Sequence, residues 1–168
     1  QFQFNVKSIH ISGKGDLWEA YEHLKQKLES EGIFDSSRKK KIPAYPEKIG
    51  VITSVDGSVI RDIINVITRR SPHIHIMLRP SLVQGDIAVE SLIQGIEDIH
   101  VYRSGVDAII IGRGGGSMED LWCFNDERLI RAIANSKIPI ISAVGHETDF
   151  TLADFASDLR APTPSAAA

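Results

Sequence analysis

Asp107-Ala108-Ile109-Ile110-Ile111-Gly112-Arg113-Gly114-Gly115-Gly116-Ser117 is the stretch that sets the fold. An apolar run carrying three isoleucines reads as a buried strand. It runs directly into a glycine-rich loop, and Ser117-Met118-Glu119-Asp120-Leu121 then reads as the opening of a helix. A strand, a glycine loop and a helix start form a general anion-binding device. Glycines admit a ligand to the backbone, and free N–H groups at the helix N-terminus point at negative charge. Arg113 adds a planar guanidinium suited to a pair of phosphate oxygens. The expectation is a phosphate held by Gly112, Gly114, Gly115, Gly116 and Ser117 together with Arg113. The bland alternative is a tight βα turn with a surface arginine. The run is not a P-loop, because the lysine-serine/threonine pair is missing. Nor does it complete the dinucleotide fingerprint, since Ser117 stands where the last glycine would be.

Outward from this stretch the pattern is regular. Ile49 to Thr53 predicts a short strand, and Ser58 to Arg70 a helix with Ile60, Ile63, Ile64 and Ile67 on one face. Ile74 to Leu78 predicts a second strand and Asp86 to Tyr102 a second helix. Beyond the glycine loop come one or two helices between Met118 and Asn135, a strand over Ile138 to Ala143, and a short helix from Leu152 to Leu159. Pro139 suits a strand start better than a centre. About four strands alternating with helices predict an α/β fold, a doubly wound, mostly parallel sheet with helices on both faces.

The front of the chain is different. Gln1 to Ile11 alternates as an edge-like strand, and its abrupt opening predicts a start inside an element of a larger protein. Asp16 is expected to cap a helix carrying Leu17, Tyr21, Leu24 and Leu28. Ile33 to Pro46 reads as a polar, basic, proline-containing linker. The expected division is therefore residues 1–45, a strand, helix and basic linker, and residues 46–168, the α/β domain with an extended C-terminal exit.

The 168 residues suffice for one substantial core. The single cysteine, Cys123, forbids an internal disulfide framework and reads as packing, in a reducing compartment. No signal peptide or membrane-length apolar run is present, which predicts a cytoplasmic protein. A net charge of −3 argues against a blanket electrostatic grip on nucleic acid. Arg38-Lys39-Lys40-Lys41 leaves room for a local one, against the plainer reading of a solvated linker.

Open parallel sheets bind ligands beyond the carboxyl ends of their strands. The residues that follow the strands are Thr53, Ser54 and Asp56 with Asp62 in the helix after them, then Arg79 and Gln84, then the Arg113 loop, then Gly145-His146-Glu147-Thr148-Asp149. Together they favour phosphoryl chemistry over redox. Arg113 would neutralise a phosphate. His146 is the side chain best suited to move a proton near neutral pH. Asp149 would orient the ring or hold a water, and Asp62 would position a water or a cation. Each has a plainer role: Asp62 facing a helix dipole, Asp149 capping a helix, His146 and Glu147 solvated on a loop. A His-Glu zinc-protease motif is excluded, because position 150 is Phe150 and not a second histidine.

Several segments carry a family likeness. Gly112 to Trp122, Gly145 to Asp149 and Asp158 to Ala167 resemble motifs of the large subunit of bacterial exodeoxyribonuclease VII, as do Ile49 to Ser54 and Ile60-Arg61-Asp62. The likeness covers nearly the whole chain in order. The Val55-Asp56-Gly57-Ser58 turn departs from the threonine-glycine-alanine form associated with that family. The resemblance implies an exonuclease of DNA catabolism that degrades single-stranded DNA from both ends into oligonucleotides. It implies a hetero-oligomer in which a small subunit is carried through a C-terminal region outside this sequence. It matches the central catalytic domain, preceded by the trailing edge of an OB-fold region. By motif position the catalytic candidates fall on Asp62, Arg113, His146 and Asp149. The family's chemistry implies no strictly required metal, with magnesium at Asp62, Glu147 and Asp149 left open. The rival readings are a non-catalytic nucleotide- or phosphate-binding domain and a subunit-assembly domain.

Overall fold

The structure, a computed structural model, describes residues 14–102, 105–116, 119–144 and 150–168. The strand expected over Gln1 to Ile11 lies outside them. Helix α1 (Lys14–Ser30) comes first, followed by a 3-10 turn at Ser36–Arg38. Then β1 (Lys48–Thr53), α2 (Ser58–Arg70), β2 (His75–Pro80), α3 (Ala88–Val101) and β3 (Ala108–Arg113) alternate. A second 3-10 turn, Trp122–Asn125, leads into α4 (Glu127–Ala134) and β4 (Ile140–Val144). The chain closes with α5 (Leu152–Ala156), β5 (Leu159–Arg160) and α6 (Pro164–Ala167).

All five strands lie parallel in one sheet, in the order β2-β1-β3-β4-β5. Side chains along a strand point alternately to the two faces, so the isoleucine runs supply two cores. Ile109 and Ile111 join Ile52, Leu92, Leu129 and Phe124 on one face, beneath α3, α4 and α5. Ile110 joins Val51, Ile63, Ile67 and Ala161 on the other, beneath α2 and α6. Tyr21, Leu28 and Ile33 of the front segment pack into the first of these cores. Among the described residues no helix is long and apolar enough to cross a membrane.

The sheet has five strands where about four were expected, and the difference lies at the far edge. The helix expected over Leu152 to Leu159 stops at Ala156, because Lys39 Nζ reaches the carbonyls of Phe155 and Ser157. A lysine ammonium at a helix C-terminus satisfies its orphan carbonyls. Asp158 then accepts the Ile140 backbone N–H at 2.7 Å, which lays Leu159 and Arg160 alongside β4. Two residues are too few for a strand period to register in sequence.

The same contacts change the reading of the basic run. Asp158 also accepts the Lys40 backbone N–H at 2.7 Å and pairs with Lys40 Nζ at 3.0 Å. Lys39 and Lys40 therefore pin the segment to the sheet edge and do not hang in a solvated linker. Burial lowers the Lys39 ammonium from its usual range, while the Asp158 carboxylate opposes that shift. The Asp158 side chain is 3% exposed, so its removal would strand two amides and a cation. Asp158→Ala should destabilise the protein by about 3 kcal/mol. The check is the urea midpoint of unfolding, and an unchanged midpoint would show that the clamp contributes nothing.

Candidate anion site at the switch point

The strand order reverses between β1 and β3. Helix α2 carries the chain out to β2 on one face, and α3 brings it back to β3 across the other. Such a reversal opens a crevice at the carboxyl edge of the sheet, and there α/β proteins bind ligands. A cavity of about 300 Å³ occupies it, lined by Ser54, Gly57 and Ser58 from the β1–α2 turn, Gln84, Arg113 and Gly114.

Arg113 ends β3, in register with Val144 of β4, and is only 7% exposed. One guanidinium nitrogen, Nη2, donates to Gln84 Oε1 at 3.0 Å. The other, Nη1, is buried with no hydrogen-bond partner among the described residues. A buried donor without an acceptor costs about 1–3 kcal/mol, more when charged. A guanidinium whose Nη1 has no acceptor among the described residues, beside a cavity, can donate to an anion there. Gly116 makes this possible. A Cβ there would stand 2.7 Å from Nη1 and 2.9 Å from Nη2, so glycine lets the loop pass over the guanidinium without displacing it.

The helix dipole facing the cavity belongs to α2. Its N-cap is Gly57, and no side chain caps the first turn. Backbone N–H groups there are left for a ligand. The α-helix expected to open at Ser117 does not form among the described residues. Glu119 to Leu121 are in turn conformation, and α4 begins only at Glu127, where Asp126 caps it by accepting the Arg128 N–H. Leu121 and Phe124 are fully buried, and seating both in the core uses the segment that a helix would need. The cradle is thus the α2 N-terminus plus the β3 loop.

The individual candidates fall as follows. Gly114 and Gly115 line the cavity. Gly112 lies inside β3, where a Cβ would meet Val59 Cγ1 at 2.9 Å, so it serves the close approach of α2. Asp62 is exposed, one turn up α2, and does not line the cavity. Arg79 is turned away, its Nε 2.6 Å from Asp98 Oδ2. Ser117, His146, Glu147 and Asp149 lie outside the described residues. Cys123 packs against the core, and its Sγ donates to the Val83 carbonyl. Burial pushes its thiol up, with Arg113 pulling the other way. A neighbouring cavity of about 300 Å³ is lined by Asp86, Glu119, Asp120 and Asp126. Burial there opposes ionisation of Asp126, but hydrogen bonds from Arg128 outweigh it and hold the carboxyl below its usual range. Among the described residues no group of three His, Cys, Asp or Glu is placed to hold a metal ion.

Sequence reasoning overlooked a buried network at the carboxyl end of β4. Asp154 accepts Ser142 Oγ at 2.6 Å, the Thr151 N–H at 2.8 Å and Thr151 Oγ1 at 3.0 Å. Asn125 Oδ1 accepts the Leu152 N–H at 2.8 Å. The only sequence signal was the Thr151-x-x-Asp154 spacing of a capping box, with aspartate in place of glutamate.

The chain is, in class, a doubly wound α/β domain with a buried arginine beside a cavity at its switch point. It belongs to the exonuclease VII large-subunit family: the family model described as "Exonuclease VII, large subunit" matches residues 33–168. It is 55% identical, over 99% of its length, to the exodeoxyribonuclease 7 large subunit of Halothermothrix orenii. It is 56% identical, again over 99% of its length, to that of Geobacillus kaustophilus. The chain spans 41% and 37% of those two relatives. A crystal structure of the Lac repressor aligns with 86% of this chain and 40% of its own at 17% identity, with a TM-score of 0.42.

Proposed function

We propose that this domain hydrolyses phosphodiester bonds of single-stranded DNA, releasing oligonucleotides from both ends, as the catalytic part of a large subunit. The observation that carries the reading is the Nη1 of buried Arg113, without a partner among the described residues, beside the switch-point cavity. Arg113 and the first-turn amides of α2 hold the scissile phosphate and its transition-state charge. Water attacks phosphorus, a new P–O bond forms, and the ester P–O bond breaks. His146 transfers the proton, Asp149 orients its ring, and Asp62 positions the water. The names of the relatives support the reaction class. The partner is a small subunit, held through a C-terminal region outside this sequence, and the setting is the cytoplasm. No metal is strictly required in this scheme; magnesium at Asp62, Glu147 and Asp149 is the alternative.

The test uses the full-length large subunit with its small subunit, end-labelled single-stranded and duplex DNA, and excess chelator. The wild type should degrade only the single strand. His146→Ala should be slower by about a hundredfold or more, as expected for loss of a general acid or base. Recovery of a chelated wild type by magnesium would make the carboxylates metal ligands. Saturable mononucleotide binding without cleavage in any condition would favour a non-catalytic binding domain.

A further inference from the structure

Phe150 is 44% exposed, an unusual setting for an aromatic ring that follows a buried strand. Three observations show that the ring is held in place. The Arg160 guanidinium lies over it, 3.9 Å from the centroid. Phe155 supports it at 5.9 Å between centroids, itself braced by Phe34 at 5.7 Å and by Lys25 Nζ at 5.2 Å. The next residue, Thr151, is locked through its backbone N–H and hydroxyl to buried Asp154. An apolar ring fixed this way, partly open to solvent and carrying one guanidinium, has the features of a stacking platform for a nucleobase.

The location agrees. Arg113 ends β3, and Arg160 belongs to β5, two strands away across β4. Arg160 pairs with Ser142, two residues short of Arg113's partner Val144, so strand spacing and rise together put the two backbones about 12 Å apart. A phosphate on Arg113 and a base on Phe150 are therefore compatible with one short stretch of one strand.

We propose that Phe150, braced by Arg160, stacks against an unpaired base of the bound strand and so selects single-stranded over duplex DNA. This deepens the function proposed above and rests on it. A duplex buries its base faces in its own stack and has none to offer, whereas a phosphate site alone treats both forms alike.

The experiment uses the full-length large subunit with its small subunit. The substrates are a single strand with all its bases and the same strand with a run of abasic sites near the labelled end. Phe150→Ala should raise KM on the complete strand by about tenfold, as expected for a lost base stack, with the loss falling on KM more than on kcat. Phe150→Trp should restore it. Abasic substitution should cost the wild type a similar factor and cost Phe150→Ala little more, because base and ring act as one contact. The indole of Phe150→Trp should also be quenched by the complete strand beyond any quench in the wild type, and less by the abasic strand. Equal losses on abasic DNA in wild type and Phe150→Ala would overturn the proposal, as would no extra quench at the new indole. Either result leaves wild-type cleavage intact. Failure of the parent reading is distinct: the wild type would cleave neither strand, while the indole quench would still report the stack.

Discussion

Replacing Arg113 with methionine should lower single-strand cleavage by about a thousandfold or more while leaving thermal stability unchanged or higher. Both halves follow from the same geometry. Arg113 is 93% buried, its Nη1 has no partner among the described residues, and its one described hydrogen bond runs to the neutral Gln84 amide. A buried cation without a carboxylate partner is destabilising, and an apolar side chain of similar volume removes that penalty. A protein keeps such a group when the stabilisation arrives with the ligand, the usual trade between stability and activity. In phosphoryl transfer an arginine on the transition state is commonly worth about 10³-fold or more. Arg113→Lys should recover little, because an ammonium keeps the charge but loses the fork. Gly116→Ala approaches the same point from the loop: its new methyl would lie 2.7 Å from Nη1 and push the guanidinium off target. Displacement by an ångström can cost about a hundredfold. Turnover on labelled single strands and a melting curve decide the matter. Cleavage by Arg113→Met at near wild-type rate would remove Arg113 from the chemistry.

The sequence disclosed the layers better than the edges, and the reason is periodicity. Helix α2 runs over Ser58–Arg70 as its isoleucine spacing predicts, because Ile60, Ile63 and Ile67 all have a sheet face to bury against. The strand at Ala108 runs two residues past its apolar run, since Gly112 and Arg113 still pair with Ala143 and Val144. Parallel pairing is a tertiary fact that no local pattern carries. The helix expected after the glycine loop fails because burial of Leu121 and Phe124 overrides local helix signals. The basic run looked solvated because its partners, Asp158 and the α5 carbonyls, lie more than a hundred residues away. The position of Arg113 at the cavity was legible because a strand end followed by glycines lies at the carboxyl edge of the sheet. The α2 N-terminus was visible only as a loosely patterned turn, and its role depends on which helix faces the crevice. Asp62 lay on a polar stripe, and a stripe fixes a helix face without fixing the depth to which it enters a cavity.

The largest loss of stability among changes near the site is expected from Asp154→Ala, at about 3–4 kcal/mol. The Asp154 side chain is 1% exposed and its carboxylate collects three donors from two elements: Ser142 on β4, and the Thr151 amide and hydroxyl at the start of α5. Arg160 Nε stands 3.9 Å from its Oδ1. Alanine would leave those donors buried without an acceptor, which costs more than forming the bonds contributed. Asp154→Asn separates packing from charge. It fills the same space, and its amide oxygen can serve part of the set, but its NH₂ must face a donor. A loss of about 1–2 kcal/mol is expected there. Function should follow the anchor. Thr151 and Phe150 come directly after Asp149, and Ser142 lies three residues before Gly145, so Asp154 ties down both flanks of the segment that carries His146. A folded Asp154→Asn enzyme should therefore cleave more slowly, and its single-strand KM should rise as the Phe150 platform loosens. Urea unfolding of both variants, beside their turnover and KM, tests this. Midpoints equal to the wild type's would mean that the network is not an anchor. A normal KM in a destabilised Asp154→Asn would confine its role to the fold, because a merely structural carboxylate has no reason to alter how the strand is held.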